Sequence, residues 1–577
     1  MTHSLHPLFR NLFVLTSLVA FTFCNSDGRR MIKGDIEAGN AFRLNESSAF
    51  RSLHPLDITE GVGSRMAAQV YEGLVKFDQN TLEIKPALAE NWEPNEDGSV
   101  WTFYLREGVR FHDDACFPEG QGREVTAEDV IWCMRELCTS SANNQMYWLL
   151  TDRVLGASKC YNTPASEKGE ASLPEGIVKI DDHTVQFSLI YPMADFPKLL
   201  GHSGFYIYPR EATAHYGEEF KNHPVGTGPF SVAVLNIGTD AILVKNTSYW
   251  GRDAHGNKLP YLDSLFISFN SDKKEELKRF RMGELDMVFS LPVDMYADVM
   301  SGLDWEKGKI QSFETQVKSS LGVHYLSFNH ADSIFKDRRV RKAFNLAIDR
   351  STLVDQTLRG DGEPAVFGIV PSAFKNFEYK RITPIKFNLE EAQNLMSLAG
   401  FPQGEGFPEI TLLVSTGSNN EAIARAAIDQ LKLNLGVDIR METASLESVL
   451  SRAEAGELSL WSDGWIADYP NPENFLRLFV SNDTASPYES NYLNNVGYSS
   501  ELYDSIYFSA IREKEDVDRM DQYRILSQLL IDEAVVLPLY YDEFTRLVSA
   551  RVRNFPQNSI EFRDFSTVWI DSSAPEQ

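Results

Sequence analysis

The stretch Gly464-Trp-Ile-Ala-Asp-Tyr-Pro-Asn-Pro-Glu-Asn-Phe-Leu476 governs how the rest of this 577-residue sequence is interpreted. A short apolar run leads into it, and Pro470 and Pro472 prevent a regular element from continuing. We therefore expect the carboxylate of Asp468 where a strand ends in a loop, between an indole and a phenol ring. Loops on a rigid scaffold often carry recognition residues, although an aspartate before Tyr-Pro is also a common turn-former. Asp468 is thus a candidate binding residue whose role depends on the remaining chain.

Length and composition indicate a globular protein with more than one hydrophobic core. The chain is 43% hydrophobic and 24% charged, and 577 residues exceed what a single core usually accommodates. Asp and Glu number 82 against 55 Lys and Arg, which gives a formal net charge of −27. A field of this sign repels phosphate backbones and anionic lipids and attracts cationic ligands weakly. We therefore predict no nucleic-acid partner.

The cysteine pattern argues against a metal site and leaves disulfides open. No pair has the Cys-x-x-Cys spacing of a zinc or redox site. Four cysteines lie close enough in sequence to form one or two disulfides in an oxidising compartment: Cys116, Cys133, Cys138 and Cys160. Their pairing stays undecided at this point.

The N-terminus has the features of an export segment. An apolar run from Leu12 to Phe23 follows Arg10 and is too short to span a bilayer as a helix. It ends at Cys24, a layout that resembles a bacterial lipoprotein signal with an acylated cysteine, although Phe23 stands where a small residue is usual. A plain cleaved signal and an uncleaved anchor are the alternatives. We predict an export segment over 1–24 and a flexible tether over 25–38.

The usual catalytic motifs are absent from the sequence. We find no His-Glu-x-x-His, no Gly-x-Ser-x-Gly and no Cys/His zinc framework. Gly226-Thr-Gly-Pro lacks the Gly-Lys-Ser/Thr of a phosphate loop, and Pro229 would block the helix that such a loop opens. We predict a protein that is not an enzyme, with no catalytic residues, cofactor or metal.

Periodicity predicts α/β lobes, because strands alternate with amphipathic helices. Ser64 is the expected N-cap of a helix that follows the loop 57–64, and Thr126 with Asp129 forms a capping pattern. A helix from Arg338 to Leu353 places its apolar residues on one face. Its expected solvated face carries Arg339, Arg341, Lys342 and Arg350.

A series of blocks in fixed order resembles one known family over about residues 40–570. The blocks include Tyr71-Glu-Gly-Leu-Val, Val125-Thr-Ala-Glu-Asp-Val, Pro224-Val-Gly-Thr-Gly-Pro-Phe, Val340-Arg-Lys-Ala-Phe and Asp468-Tyr-Pro-Asn-Pro. Together they resemble the large extracytoplasmic solute-binding proteins of peptide and nickel ABC transporters, the oligopeptide- and dipeptide-binding family. One block alone would be weak evidence, whereas eight or more in order are strong.

The resemblance implies an α/β, two-lobed periplasmic-binding-protein fold of the large peptide-binding type, with an additional inserted N-terminal domain. Paired crossovers are expected near Leu321–Phe328 and Val535–Tyr541. The implied parts are 39–75 for the start of lobe I, 76–180 for the inserted subdomain, 181–320 for the second part of lobe I, 321–535 for lobe II and 536–577 for the end of lobe I.

The resemblance also assigns ligand-binding roles to particular residues. Asp468 would hold the α-ammonium group of a peptide. Backbone pairing with the peptide is assigned to Gly464 and Ile466 on one side and to Val62 and Gly63 on the other. Trp465 and Tyr469 would wall the pocket, and Tyr540 would contact the ligand from a crossover.

The implied function is peptide capture outside the cytoplasmic membrane by a monomer that delivers its ligand to an ABC permease and ATPase. The loop 414–421 lacks the basic residue that holds a peptide carboxylate in dipeptide-selective members. Peptide length and sequence therefore stay open. A nickel complex or sugar as ligand, a sensor without import, and a chaperone-like binder are the alternatives.

Overall fold

The fold is described from a computed structural model of the chain. It describes residues 29–141, 143–151, 153–163, 173–291, 295, 312–374, 376–416, 418–481 and 493–573. Cys24 and the predicted export segment lie outside these residues.

The first described residues form a β-hairpin rather than the expected tether. Strands β1 (Arg30–Ile32) and β2 (Ile36–Ala38) pair antiparallel. Ala38 is buried in a small cluster with Tyr249, Leu259 and Tyr261. This apolar contact orders residues 30–38, which the tether prediction had assigned to flexible chain.

Lobe I is built around a four-stranded sheet in the order β10-β11-β12-β3. The β10–β11 and β11–β12 pairs are antiparallel, whereas β12 and β3 are parallel. The β3–β12 pair thereby joins the N-terminal segment of lobe I to its later segment. Helix α1 packs beside the sheet and buries Met66 and Val70 in the lobe I core. The elements are β3 (Ala41–Glu46), α1 (Gly61–Val70), β4 (Val75–Phe77), β5 (Ile84–Pro86), β10 (Phe230–Asn236), β11 (Asp240–Lys245), β12 (Ser264–Phe269) and α6 (Lys273–Arg281).

The inserted N-terminal part contains an antiparallel sheet in the order β6-β7-β9-β8. Trp101, Phe103 and Leu105 alternate inward along β7, as the sequence pattern predicts. The sheet extends past the expected boundary at residue 180, because β9 is one of its two central strands. Its elements are β6 (Ala89–Pro94), β7 (Val100–Leu105), α2 (Ala127–Leu137), α3 (Ala157–Asn162), β8 (Ile177–Asp181) and β9 (Thr184–Ser188), followed by α4 (Phe196–Leu199) and α5 (Arg210–Tyr216).

Lobe II and the crossover between the lobes share one sheet in the order β13-β19-β14-β18-β16-β17, with β15 against β19. Two long antiparallel strands, β14 and β19, run through both lobes, and their register shifts between Ser319 and Val323. The 543–549 half of β19 pairs with β13 on one side and with 313–319 of β14 on the other, whereas 323–328 of β14 pairs with β18. The predicted crossovers are therefore the lobe II halves of longer strands. The strands are β13 (Met287–Phe289), β14 (Phe313–Phe328), β15 (Glu363–Pro364), β16 (Ile410–Ser415), β17 (Ile439–Ala444), β18 (Leu460–Ile466), β19 (Val536–Ser549), β20 (Val552–Arg553) and β21 (Trp569–Ile570).

Helices cover both faces of the lobe II sheet, and among the described residues none is long and apolar enough to cross a membrane. They are α7 (Arg338–Ala347), α8 (Arg350–Thr357), α9 (Leu389–Leu398), α10 (Ser418–Leu435), α11 (Leu446–Glu454), α12 (Glu473–Leu476), α13 (Glu501–Ala510) and α14 (Asp516–Asp532).

Two arginines expected on a solvated face are buried instead. Arg341 donates to the backbone carbonyl of Ala534 at 3.0 Å and Arg350 to that of Pro538 at 2.6 Å. Both guanidinium groups satisfy carbonyls where β19 begins, so they fasten helices α7 and α8 to this strand. The sequence pattern alone did not distinguish this structural role from solvent exposure.

Cys116 and Cys133 are free thiols, and Cys133, Cys138 and Cys160 are buried. The capping pattern of α2 is confirmed, because the Thr126 backbone N–H donates to Asp129 at 2.9 Å. Helix α1 differs from the prediction, since it begins at Gly61 with Glu60 as N-cap and contains Ser64 in its first turns.

Candidate ligand-binding site

Strand β18 carries the loop of Asp468 to the space between the lobes. Its last residues pair with β14, and the Ala467 N–H continues this pairing by donating to the Leu321 carbonyl at 2.9 Å. The chain then turns at Pro470 and Pro472, and α12 begins at once. A strand held by a central sheet and ended by prolines thus fixes the position of Asp468.

Asn474 orients the Asp468 carboxylate. Its side-chain N–H donates to Asp468 Oδ2 at 3.1 Å, and its Oδ1 accepts from the Asp468 backbone N–H at 3.1 Å. The same Oδ1 accepts from the Trp465 indole N–H at 2.8 Å. Asn474 is itself 4% exposed, so one buried amide holds both recognition side chains. Sequence reasoning missed it, although it lies in the same motif six residues after the aspartate.

Burial desolvates the Asp468 carboxylate and makes its charged form less favourable. Burial raises its pKa from 3.8 to about 6, while the Asn474 hydrogen bond and the more distant Arg153 act in the opposite direction. Among the described residues, no Lys or Arg forms an ion pair with it. A desolvated carboxylate without a cation binds a complementary positive group favourably, because the desolvation cost is already present in the unliganded protein.

Two cavities of about 630 Å³ each meet at Asp468. The lobe II cavity is lined mainly by β14, β18, α10 and α11, and the lobe I cavity by α1 and residues 145–148, 201–206 and 560–563. Thr59, Ile466 and Asp468 line both cavities. The aspartate therefore lies at the centre of a continuous cleft between the lobes.

The crossover strands contribute His324 and Tyr540 to the lining of the lobe II cavity, and Asp542 pairs with this histidine. The ring of His324 stacks on Tyr540 with a centroid distance of 4.4 Å and an interplanar angle of 4°. His324 Nε2 lies 2.9 Å from Asp542 Oδ1. Because β14 and β19 are the strands that pass between the lobes, ligand contacts here would be coupled to the arrangement of the lobes.

Four of the predicted site residues besides Asp468 line the lobe II cavity: Gly464, Trp465, Ile466 and Tyr540. Along β18, alternate residues direct their backbone N–H and C=O groups to opposite edges of the strand. Ala467 directs its N–H toward β14. The backbone groups of Gly464 and Ile466 therefore point to the edge of β18 that faces away from β14. Strand β16 pairs there only with Leu460 and Trp461. The edge beside Gly464 and Ile466 is accessible to an extended ligand, although Gly464 N–H already bonds the side chain of Asp463 at 2.9 Å.

Val62 and Gly63, which are predicted to pair with a peptide through their backbone, lie in the first turn of α1. Both lie inside α1 and are buried, so their carbonyls belong to the helix. Gly63 permits a close approach to the Ser52 carbonyl of its own lobe. Their neighbours Gly61 and Ser64 line the lobe I cavity instead, because a helix exposes only one face to the cleft.

Tyr469 does not wall the pocket either. Its ring packs in the lobe I core with 1% exposure, and its hydroxyl donates to Glu473 at 2.5 Å. The neighbouring Asn471 donates to Asp195 of lobe I at 2.8 Å. The loop after Asp468 is therefore anchored to the opposite lobe, which places the carboxylate between the two.

Two lobes joined by paired strands, with a cleft and a buried carboxylate between them, form the architecture of a solute-binding protein. The family model for bacterial extracellular solute-binding proteins, family 5 middle, matches residues 83–487, and the chain belongs to this family. The predicted family and two-lobed fold are thus confirmed.

Similar proteins extend over nearly the whole chain. The periplasmic oligopeptide-binding protein OppA of Salmonella typhimurium is 27% identical over 94% of both chains. Heme-binding protein A of Haemophilus influenzae is 26% identical over 92% of this chain and 93% of its own. The structure of the periplasmic binding protein DppA from Helicobacter pylori in complex with the peptide STSA has a TM-score of 0.74 and 24% identity, covering 92% of this chain and 98% of that one.

Proposed function

We propose that this chain is the substrate-binding component of an ABC importer for peptides. Capture takes place outside the cytoplasmic membrane, and the ligand passes to a permease and ATPase. The observation that carries the proposal is Asp468, a fixed carboxylate that forms no ion pair with a Lys or Arg of the described residues, at the point where the two cavities meet. A peptide α-ammonium supplies the missing positive charge.

The strand edge beside Asp468 supports an extended peptide. Gly464 and Ile466 direct backbone groups toward the lobe II cavity, and Ile466 is 65% exposed. Backbone pairing of this kind provides affinity without requiring particular side chains. The Trp465 and Tyr540 rings then supply apolar surface for the side chains of the ligand.

The names of the similar proteins favour a peptide as the ligand over a nickel complex or a sugar. OppA carries the name of an oligopeptide-binding protein, and DppA is bound to a peptide in its structure. The similarity to heme-binding protein A keeps a non-peptide ligand, such as a nickel complex or sugar, as the second candidate. A sensor or a chaperone-like binder would use the same cleft without a permease. Permease and ATPase genes next to the gene of this protein would favour import over these two alternatives.

Ligand capture proceeds by closure of the two lobes in this proposal. Strands β14 and β19 are the covalent connections around which closure takes place, and a permease recognises the closed form. Solution scattering with and without ligand tests this, and identical profiles would contradict it. No step of this function requires catalysis, a cofactor or a metal, and the protein acts as a monomer.

The decisive binding test compares a tripeptide with a free N-terminus and the same peptide after N-acetylation. Acetylation removes the ammonium group and preserves the rest, so we expect calorimetry to show binding only for the free form. Equal affinity for both would refute the role of Asp468. Mass spectrometry of ligands that copurify with the protein would separate peptides from a metal complex or sugar.

Acylation of Cys24 would hold the exported protein at the membrane surface. Two observations in the sequence support it, the short apolar run and the cysteine that ends it. Intact mass of membrane-extracted protein is the test, and an N-terminus without added lipid mass would contradict the anchor.

A further inference from the structure

The lobe II cavity contains a second carboxylate, Asp463, five residues before Asp468 on β18. It lies opposite Tyr325 of β14 in the sheet. The remaining walls are largely apolar and include Leu326, Ile423, Leu446, Leu450 and Leu478. A carboxylate in such surroundings costs free energy unless a positive group compensates it.

No Lys or Arg lines this cavity in the part of the chain that the structure describes. His324 is the basic residue along its described wall, and it is already paired with Asp542. Arg425 lies on the exposed face of α10, outside the lining. In sequence, the segment 482–492 that precedes the lining residues Leu493 and Asn495 contains no Lys, Arg or His. The described lining thus supplies negative charge to this cavity without a Lys or Arg to balance it.

Neutral donors hold the Asp463 carboxylate in one orientation. Its oxygens accept from Gly464 N–H at 2.9 Å, Ser327 Oγ at 3.1 Å and Trp461 Nε1 at 3.2 Å. The Asn495 amide is a more distant donor at 3.4 Å. These bonds fix the group without neutralising it, and burial raises its pKa. A cationic group of the ligand could therefore form a charge-assisted hydrogen bond with the fixed Asp463 carboxylate.

Aromatic rings add a second feature that favours a cation. Trp465, Tyr325 and Tyr540 line the same cavity as Asp463. The faces of such rings attract Lys and Arg side chains. A volume of about 630 Å³ accommodates a long side chain beside the apolar walls.

We infer that the lobe II cavity selects peptides with a second cationic group, a Lys or Arg side chain on the second or third residue, and that Asp463 determines this preference. The inference rests on the proposed function, in which Asp468 holds the α-ammonium. Five strand residues span about 16 Å at most. An extended peptide advances about 3.3 Å per residue, so a long basic side chain at these positions bridges the two carboxylates.

The test is calorimetry on the full chain, freed of copurified ligand, with Ala-Ala-Ala, Ala-Lys-Ala, Ala-Ala-Lys and Ala-Glu-Ala. The wild-type protein should bind at least one lysine peptide about tenfold or more tightly than Ala-Ala-Ala, and Ala-Glu-Ala more weakly. In Asp463→Asn, the ratio between the lysine peptide and Ala-Ala-Ala should fall to within about threefold, because the charge pair is lost. Asp463→Ser, which keeps an acceptor oxygen, replaces this variant if Asp463→Asn fails to fold.

Two results would overturn the inference: equal wild-type affinities for the lysine peptides and Ala-Ala-Ala, or an undiminished lysine preference in both Asp463 variants. Binding of Ala-Ala-Ala that depends on Asp468 but shows no lysine preference rejects this inference and leaves the proposed function standing. Failure of every peptide to bind rejects both. The affinity ratio within each variant also separates lost charge recognition from a general loss of stability.

Discussion

Replacing Asp468 with Asn tests the binding site and its electrostatics in one variant. The substitution keeps the size of the side chain and an oxygen that can accept from Asn474, but removes the charge. The substitution should have opposite effects on the free energy of ligand binding and on the free energy of unfolding. Ligand binding should weaken, while the unliganded protein should become more stable.

The magnitudes follow from the desolvated state of Asp468. Removing one partner of a buried, hydrogen-bonded charge pair costs about 2–5 kcal/mol of binding, or roughly 30-fold to several thousand-fold in Kd. The pKa of the unliganded carboxyl is about 6 against an ordinary 3.8, which corresponds to up to roughly 3 kcal/mol of lost stability. Because the pKa of Asp468 is raised in the folded state, its ionisation lowers the free energy of unfolding by this full amount above about pH 6. The loss of stability disappears as the pH falls from about 6 toward 3.8, the pKa of the unfolded state.

The assay combines calorimetry with a free-N-terminus tripeptide and urea unfolding at pH 7.5 and pH 4. Asp468→Asn should gain free energy of unfolding at pH 7.5 and little at pH 4. Asp518→Asn is the matched control, because it removes the same charge from an exposed position on α14. Unchanged peptide affinity would refute the site assignment, and a loss of stability at pH 7.5 would refute the electrostatic reasoning.

Three further outcomes are expected. Wild-type peptide affinity should fall about tenfold per pH unit below about pH 6, because protonated Asp468 does not attract an ammonium group; a flat calorimetric profile from pH 7.5 to 5 would contradict this. Arg519→Ala should cost about 1–3 kcal/mol in urea unfolding, since it removes the guanidinium now 3.0 Å from the buried Asp195 and leaves only Lys198, at 2.9 Å, to balance that carboxylate; an unchanged free energy of unfolding would show that the Arg519 pair is dispensable. Leu412→Ala, at a fully buried site in β16, should cost about 2–5 kcal/mol, whereas Leu433→Ala, at an 84% exposed site, should change stability by less than about 0.5 kcal/mol; similar losses in the two would contradict the packing.

Local sequence features were sufficient for the family, the α/β class and the loop that ends β18 at Asp468. Pro470 and Pro472 prevent β18 from continuing past Asp468, because the proline ring fixes φ and removes a donor. The Thr126–Asp129 cap and the alternation in β7 likewise act within a few residues. Such features depend on neighbouring residues in the chain and can be interpreted before the fold is known.

Tertiary packing decided which side of each element faces the cleft. Helix α1 turns Val62 and Gly63 inward, and the lobe contact draws Tyr469 into the lobe I core. Contacts between distant segments also enclose Asp463 in a largely apolar cavity that no Lys or Arg of the described residues lines.

The sequence by itself therefore determined the kind of protein and the aspartate at its centre. Only the tertiary structure determined which side chains surround that aspartate. The physical reason is that side-chain orientation toward a cleft follows from burial against residues hundreds of positions away, as with the hydrogen bond from Asn471 to Asp195, and local propensity contains no information about such contacts.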